Sequence, residues 1–336
     1  MAADVQSPLA SRAATLPIDP RLDLFAEIAK LKKERNALLL AHYYQDSDIQ
    51  DIADFIGDSL ELSRRARDAK SYDVICFCGV HFMAESAKCL APDKIVVLPD
   101  MEAGCSLAEA CPPEKLAAWK AAHPDHVIVA YINTSAATKA LCDWICTSSN
   151  AEKVIQAIPK GKKILFVPDR HLGAWLIRRT GREMELWPGS CIVHETFSAR
   201  KLAAMKERYP GALVVAHPEC DESVLAVSDF VGSTSKLLGY VVESPATTFI
   251  VATERGILHE MRKRAPGKIL LEPPFEAGAD AAKGACASCN ECPHMKRNTM
   301  EKVYLALRDL QPRIEIAEDL RRRSLVPLER MLSIVS

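Results

Sequence analysis

At 336 residues and a formal net charge of −1, the chain is longer than one ordinary domain and has no charge excess with which to hold a polyanion. Hydrophobic residues make up 49% of it, ample for several cores, yet no apolar run is long enough to span a bilayer. Composition therefore gives no case for nucleic acid or membrane as partner, and Arg262-Lys263-Arg264 and Arg321-Arg322-Arg323 read as solvated helix faces.

Along the chain, residues 1–20 are rich in Ala, Ser and Pro but lack the apolar core of roughly 7–15 residues that a signal peptide needs, so a disordered tail on a cytoplasmic protein is expected. Short, continuous apolar runs follow at 38–41, 74–77, 95–98, 127–131, 164–167, 213–216 and 248–251. Continuous apolarity is what a parallel strand buried on both faces requires. Helical patterns lie between them, such as Ile49, Ile52, Ala53 and Ile56, or Ala151, Val154, Ile155 and Ile158. The fold class is α/β, built from parallel crossovers.

Three of the runs open a repeated pattern. Ala41-His42-Tyr43-Tyr44, Ala130-Tyr131-Ile132-Asn133 and Ala216-His217-Pro218-Glu219 recur at offsets of 89 and 86 residues. Each leads, at constant phase, to Asp54-Phe55-Ile56-Gly57-Asp58-Ser59, Asp143-Trp144-Ile145-Cys146-Thr147-Ser148 or Asp229-Phe230-Val231-Gly232-Ser233-Thr234. One supersecondary unit built three times predicts a first repeat at 21–110, a second at 111–200, a third at 201–295 and C-terminal helices at 296–336. Open parallel sheets bind ligands at the carboxyl ends of their strands, where His42, Tyr131 and His217 fall, and, after the next strands, His81, His171 and Arg255. Ser59, Ser148 and Thr234 stand where helices should begin. As helix caps they would be ordinary; as three hydroxyls at one phase they suit an anion site for a substrate set with three anionic groups.

Twelve cysteines without an export signal argue for free or metal-binding thiols. Cys76, Cys78, Cys89, Cys142 and Cys146 read as core, Cys111-Pro112-Pro113 as a helix start, and Cys220 stays unassigned. Cys105, Cys191 and Cys292 follow His42, Tyr131 and His217 by 63, 60 and 75 residues, one thiol per repeat. As ligands of a [4Fe–4S] cluster they would leave one iron open as a Lewis acid. The local run Cys286, Cys289, Cys292 with His294 is the alternative, a closed zinc site. Otherwise Cys286 and Cys289 are spare thiols, a candidate redox pair. Asn298 with Glu301 suggests a capping box, and residues 314–334 an amphipathic tail broken at Pro327.

The chain resembles the quinolinate synthase family over about residues 38–307. The resemblance rests on Ala41-His42-Tyr43-Tyr44, Cys78-Gly79-Val80-His81-Phe82-Met83-Ala84-Glu85, Tyr131-Ile132-Asn133-Thr134, Pro168-Asp169-Arg170-His171-Leu172-Gly173, Gly189-Ser190-Cys191, His217-Pro218-Glu219-Cys220 and Gly232-Ser233-Thr234. It implies three similar α/β/α domains around a pseudo-threefold axis with a [4Fe–4S] cluster, and condensation of iminoaspartate with dihydroxyacetone phosphate to quinolinate, phosphate and water. It also implies Cys105, Cys191 and Cys292 as cluster ligands, the last on its Cys292-Pro293-His294-Met295 context. The implied substrate pocket comprises His42, Ser59, Tyr131, Asn133, Ser148, His194, His217, Glu219, Ser233 and Thr234. Glu219 is the candidate acid/base, Tyr44 a helper in isomerisation and Tyr131 a further catalytic candidate; an ion pair with Arg255 is the alternative role for Glu219. Iminoaspartate would come from an aspartate oxidase. Rival readings are another iron–sulfur hydro-lyase, a cluster carrier or scaffold, and a zinc-stabilised binding module.

Overall fold

The computed structural model describes residues 18–274 and 290–334. Among the described residues twelve strands fall into three sheets: β1 (Ala37–His42), β2 (Phe55–Gly57), β3 (Val74–Cys78) and β4 (Ile95–Val97); β5 (His126–Tyr131), β6 (Trp144–Cys146), β7 (Lys163–Val167) and β8 (Glu185–Leu186); β9 (Leu213–Ala216), β10 (Phe230–Val231), β11 (Thr248–Ala252) and β12 (Ile269–Leu271). Strand order is the same in each, β2-β1-β3-β4, β6-β5-β7-β8 and β10-β9-β11-β12, and the pairing is parallel throughout. The α/β class and the triplication are thus present as expected.

The repeated aspartate explains how each unit closes. Asp54, Asp143 and Asp229 each accept, through Oδ2, the N–H of Leu39, Ile128 or Val214 at 2.8, 2.8 and 2.7 Å, while their own N–H groups donate back to the carbonyl oxygens of those residues. That reciprocal pair fixes the start of the short second strand against the first. The three units then meet at one point. Ser149 Oγ lies 2.6 Å from Asp58 Oδ2 and 2.8 Å from Ser233 Oγ, one group from each sheet's unit.

Several expectations are corrected. Ile56 belongs to β2, because the helix preceding it, Ser47–Ile52, ends four residues earlier. The short strands β2, β6, β8, β10 and β12 were not foreseen, since two or three residues carry too little pattern. Asn298 does not cap: Thr299 accepts the N–H of Lys302 at the start of the helix Met300–Asp309, and Asn298, buried, donates to the carbonyl of Gly79 at 2.7 Å. Pro327 does not break the last helix, which runs Glu318–Ser333 and packs Leu328, Met331 and Leu332 into the core shared by the first two sheets. The helix Met300–Asp309 covers the first sheet with Val303, Ala306 and Leu307. Pro113 opens the helix Pro113–Ala122 as expected, and Cys76, Cys78, Cys89, Cys111, Cys142, Cys146 and Cys220 are all buried. The expectation for the tail at 1–20 falls mostly on residues 1–17, and Cys286 and Cys289 also lie outside the described residues.

Candidate active site

One cavity, with about 700 Å³ of space between its walls counting the part open to solvent, is bordered by all three units. His42 and Tyr131 end β1 and β5, and His217 directly follows β9. Tyr44, Asn133 and Glu219, each two residues on, border the same space, as do Ser59, Ser148, Thr234 and His194. Ser233 does not. It is the N-cap of the helix Thr234–Glu243, accepting the N–H of Lys236.

The capping expectation for the three hydroxyls is displaced by one residue in the first and third units, while in the second the helix begins only at Ala151, after Asn150. Asp58 caps the helix Ser59–Arg67 through the N–H groups of Leu60 and Glu61 at 3.0 and 3.1 Å, and Thr147 Oγ1 accepts the N–H of Ser149 at 3.2 Å. Ser233 completes the set. None of the three hydroxyls caps its helix, and Ser59, Ser148 and Thr234 all border the cavity, Ser59 and Thr234 as first residues of their helices, an arrangement suited to anions. Among the described residues bordering the cavity there is no Lys or Arg, so any anion must be held by hydroxyls, amides and imidazoles.

Two of those imidazoles are locked as neutral. His42 Nδ1 accepts the N–H of Tyr44 at 3.2 Å and His217 Nδ1 that of Glu219 at 3.3 Å, which leaves Nε2 as the protonated nitrogen in both. Burial lowers His42 to about 4 and His217 to about 3. His217 Nε2 reaches Ser148 Oγ at 3.2 Å.

Glu219 is the most heavily engaged group. Tyr131 donates its hydroxyl to Oε1 at 2.6 Å, and His194 Nδ1 lies 2.9 Å from Oε2. Burial opposes its ionisation, but the hydrogen bonds from His194 and Tyr131 favour the anion, and the carboxyl is held below the usual range. Arg255 is not its partner: that guanidinium pairs with Glu272 at 3.1 Å and Glu291 at 3.4 Å. The Tyr44 hydroxyl bonds Thr234 Oγ1 at 3.1 Å and Thr253 Oγ1 at 2.9 Å, and His194 Nε2 reaches the same Thr253 oxygen at 3.0 Å. Burial lifts both Tyr44 and Tyr131 well above the ordinary phenol range.

The cysteine loops repeat one design. His81, Arg170 and Arg255, just past the third strand of each sheet, donate their N–H to the carbonyls of Ala103, Gly189 and Asn290 at 2.7, 2.9 and 3.0 Å. Two residues later come Cys105, Cys191 and Cys292, whose carbonyls accept the N–H of Glu109, Glu195 and Lys296 at 3.0, 3.1 and 3.1 Å. Each thiol thus heads one helical turn and borders the cavity, and backbone N–H groups of Leu107 and Ala108, of His194, and of His294 and Met295 point at the three sulfurs. Cys292 is the residue in phase with the other two. Burial pushes Cys105 up to about 11, Cys292 up to about 12 and Cys191 well above the ordinary thiol range, so with nothing bound the thiols keep their protons. A bound cation would reverse that.

Cys191, His194 and Glu219 bring ligand atoms within 4.8 Å of one another, whereas Cys105 and Cys292 do not join that tight group. His81, His171 and Arg255 place no side chain at the cavity, and the first and last contribute backbone N–H groups only. Asp58, Thr253 and Glu254 were missed. For Glu254 the signal was available, since Thr253-Glu254 follows β11 as Pro168-Asp169 follows β7.

The arrangement defines a triplicated α/β protein whose units border one cavity and each supply it with one thiol. The family model described as quinolinate synthetase A protein matches residues 26–333, and the chain belongs to that family. It is 56% identical over 324 residues to the quinolinate synthase of Nostoc punctiforme, covering 96% of this chain and 97% of that protein. The quinolinate synthase of Microcystis aeruginosa is 56% identical over 310 residues, with 92% and 94% covered. That of Chloroherpeton thalassium is 55% identical over 314 residues, with 94% and 95% covered. Among the described residues no helix is long and apolar enough to cross a membrane.

Proposed function

We propose that the axial cavity is where the quinolinate synthase reaction takes place: iminoaspartate condenses with dihydroxyacetone phosphate, giving quinolinate, phosphate and two waters. The observation that carries this reading is the recurrence of one thiol per unit, at one backbone phase, around a cavity bordered by three hydroxyls of equal phase. Cys105, Cys191 and Cys292 would hold a [4Fe–4S] cluster. When bound, the cluster supplies an open iron, a Lewis acid for loss of hydroxyl groups in dehydration.

The chain's own residues supply the rest. Two carboxylates and a phosphate are held by neutral donors, Ser59, Ser148 and Thr234 with the adjoining helix N–H groups, and by the Nε2–H of His42 and His217. Glu219, kept ionised, takes up a proton during enamine formation and ring closure, and Tyr131 on Oε1 and His194 on Oε2 hold its orientation. Tyr44, its phase mate, serves the isomerisation after phosphate leaves. Asn133, whose buried Oδ1 lacks a partner, is suited to receive a donor from substrate. Ser233 acts behind these, setting the helix whose first residue is Thr234. The units would be divided at 21–110, 111–200 and 201–295, with iminoaspartate supplied by an aspartate oxidase in the cytoplasm.

Anaerobic incubation with both substrates should yield quinolinate and phosphate in equal amounts. Absence of quinolinate from iron-loaded protein would reject the reading. A single ion on Cys191, His194 and Glu219 is the second reading, favoured by their close spacing. Four irons and four sulfides per chain support the cluster, and one metal without sulfide supports the single ion.

A further inference from the structure

Glu254 has no part in the roles assigned above, yet its side chain is fully buried and borders the cavity. It stands two residues past the end of β11, as Asp169 stands two past the end of β7. Asp169 does the common thing with that position. Its Oδ1 accepts the N–H groups of His171 and Leu172 at 2.8 and 2.9 Å and caps the helix Arg170–Thr180. Glu254 is one methylene longer and its carboxylate divides. Oε2 accepts the N–H of Gly256 at 2.7 Å, and Oε1 accepts the N–H of Cys292 at 3.1 Å.

A buried carboxylate needs a countercharge. Lys296 supplies it, with Nζ 3.7 Å from Glu254 Oε1. The same ammonium donates to the carbonyl of Tyr44 at 3.1 Å and pairs with Asp46 Oδ1 at 3.0 Å, while the Lys296 N–H donates to the Cys292 carbonyl. The junction is tight. A Cβ on Gly256 would stand 2.8 Å from both Glu254 Oε2 and the Tyr44 Cα, so only glycine admits this approach of the third unit to the first.

We propose that Glu254 and Lys296 are positioning residues that join the seat of the third thiol to the placement of Tyr44. The carboxylate holds the backbone of Cys292, the ammonium holds the backbone of Tyr44, and the pair links them across the junction of the first and third units. Tyr44 is thereby fixed at both ends, its carbonyl by Lys296 and its hydroxyl by Thr234 and Thr253. A loose third loop would release the tyrosine as well as the sulfur.

The inference rests on Cys292 being a cluster ligand, and the experiment separates the two. Anaerobically reconstituted wild type, Glu254→Gln, Lys296→Met, Lys296→Arg and Cys292→Ala are compared for iron release to a chelator, melting temperature of the iron-free protein, and kcat and KM. Glu254→Gln is expected to release iron about 10-fold faster, the low end for groups that support metal ligands, with the iron-free melting temperature nearly unchanged. Lys296→Met is expected to retain iron and lose about 10-fold in kcat with little change in KM, and Lys296→Arg to recover most of it. If Glu254→Gln does not fold, Glu254→Asp, whose carboxylate is withdrawn by one methylene, takes its place in the same measurement. Wild-type iron release in the Glu254 variant beside an iron-free Cys292→Ala overturns the inference alone. Full iron loading of Cys292→Ala overturns the ligand assignment, and the inference with it.

Discussion

Tyr131 ends the first strand of the second sheet and Glu219 follows the first strand of the third, yet the Tyr131 hydroxyl donates to Glu219 Oε1 at 2.6 Å with both side chains buried. The bond spans two units. With His194 on the other oxygen, it leaves the carboxylate ionised and oriented, which is the state a general base needs.

Glu219→Gln should therefore keep the fold and bind substrate but lose about 10²–10⁴-fold in turnover, the usual contribution of a positioned acid/base group. Anaerobic kcat at saturating substrate is the measurement. Activity within a factor of about three of wild type would remove Glu219 from proton transfer and leave it a purely structural anion.

Cys105→Ala, Cys191→Ala and Cys292→Ala should each be isolated without a stable cluster, because two thiolates leave half of a four-iron cube unanchored. Cys111→Ser and Cys220→Ser should keep their iron, since both side chains are buried and neither borders the cavity. Iron and sulfide analysis after anaerobic reconstitution decides it. A loaded Cys105 or Cys191 variant would contradict the one-thiol-per-unit assignment.

The displaced caps separate stability from binding. Asp58→Ala removes the acceptor for two N–H groups and the contact to Ser149, so it should lower the melting temperature, with a cap worth about 1 kcal/mol. Ser59→Ala and Ser148→Ala should leave the melting temperature in place and raise KM. Were Ser59→Ala to melt early with unaltered KM, the hydroxyl would be structural after all.

His42 makes an acid-limb prediction. Burial lowers it from 6.5 to about 4, so between those values the unfolded chain binds a proton that the folded chain refuses. Stability is then fully present above about pH 6.5 and falls as pH drops toward about 4. His42→Gln should flatten the fall of melting temperature over that window. An identical acid slope in the variant would show that His42 is not the titrating group.

The sequence by itself determined the class and the repetition. Continuous apolar runs spaced by amphipathic stretches leave little but buried parallel strands, and a pattern recurring at 89 and 86 residues states the number of units before any contact is known. His42, Tyr131, His217 and the three cysteines could be nominated because position in a repeat is a one-dimensional property. The short strands β2, β6, β8, β10 and β12 could not, because their state is imposed by a neighbouring strand rather than by their own composition.

Only the tertiary structure decided what each nominated side chain does. One-residue phase separates Asp58, which caps, from Ser59, which faces the cavity, and no local pattern distinguishes them. Whether Glu219 meets Arg255 or Tyr131 depends on how the second and third units pack, and Glu254 acquires its contact to Cys292 from a loop 38 residues away along the chain. Side-chain chemistry is written in the sequence. Partners and burial, which set protonation and orientation, arise only where the three sheets converge.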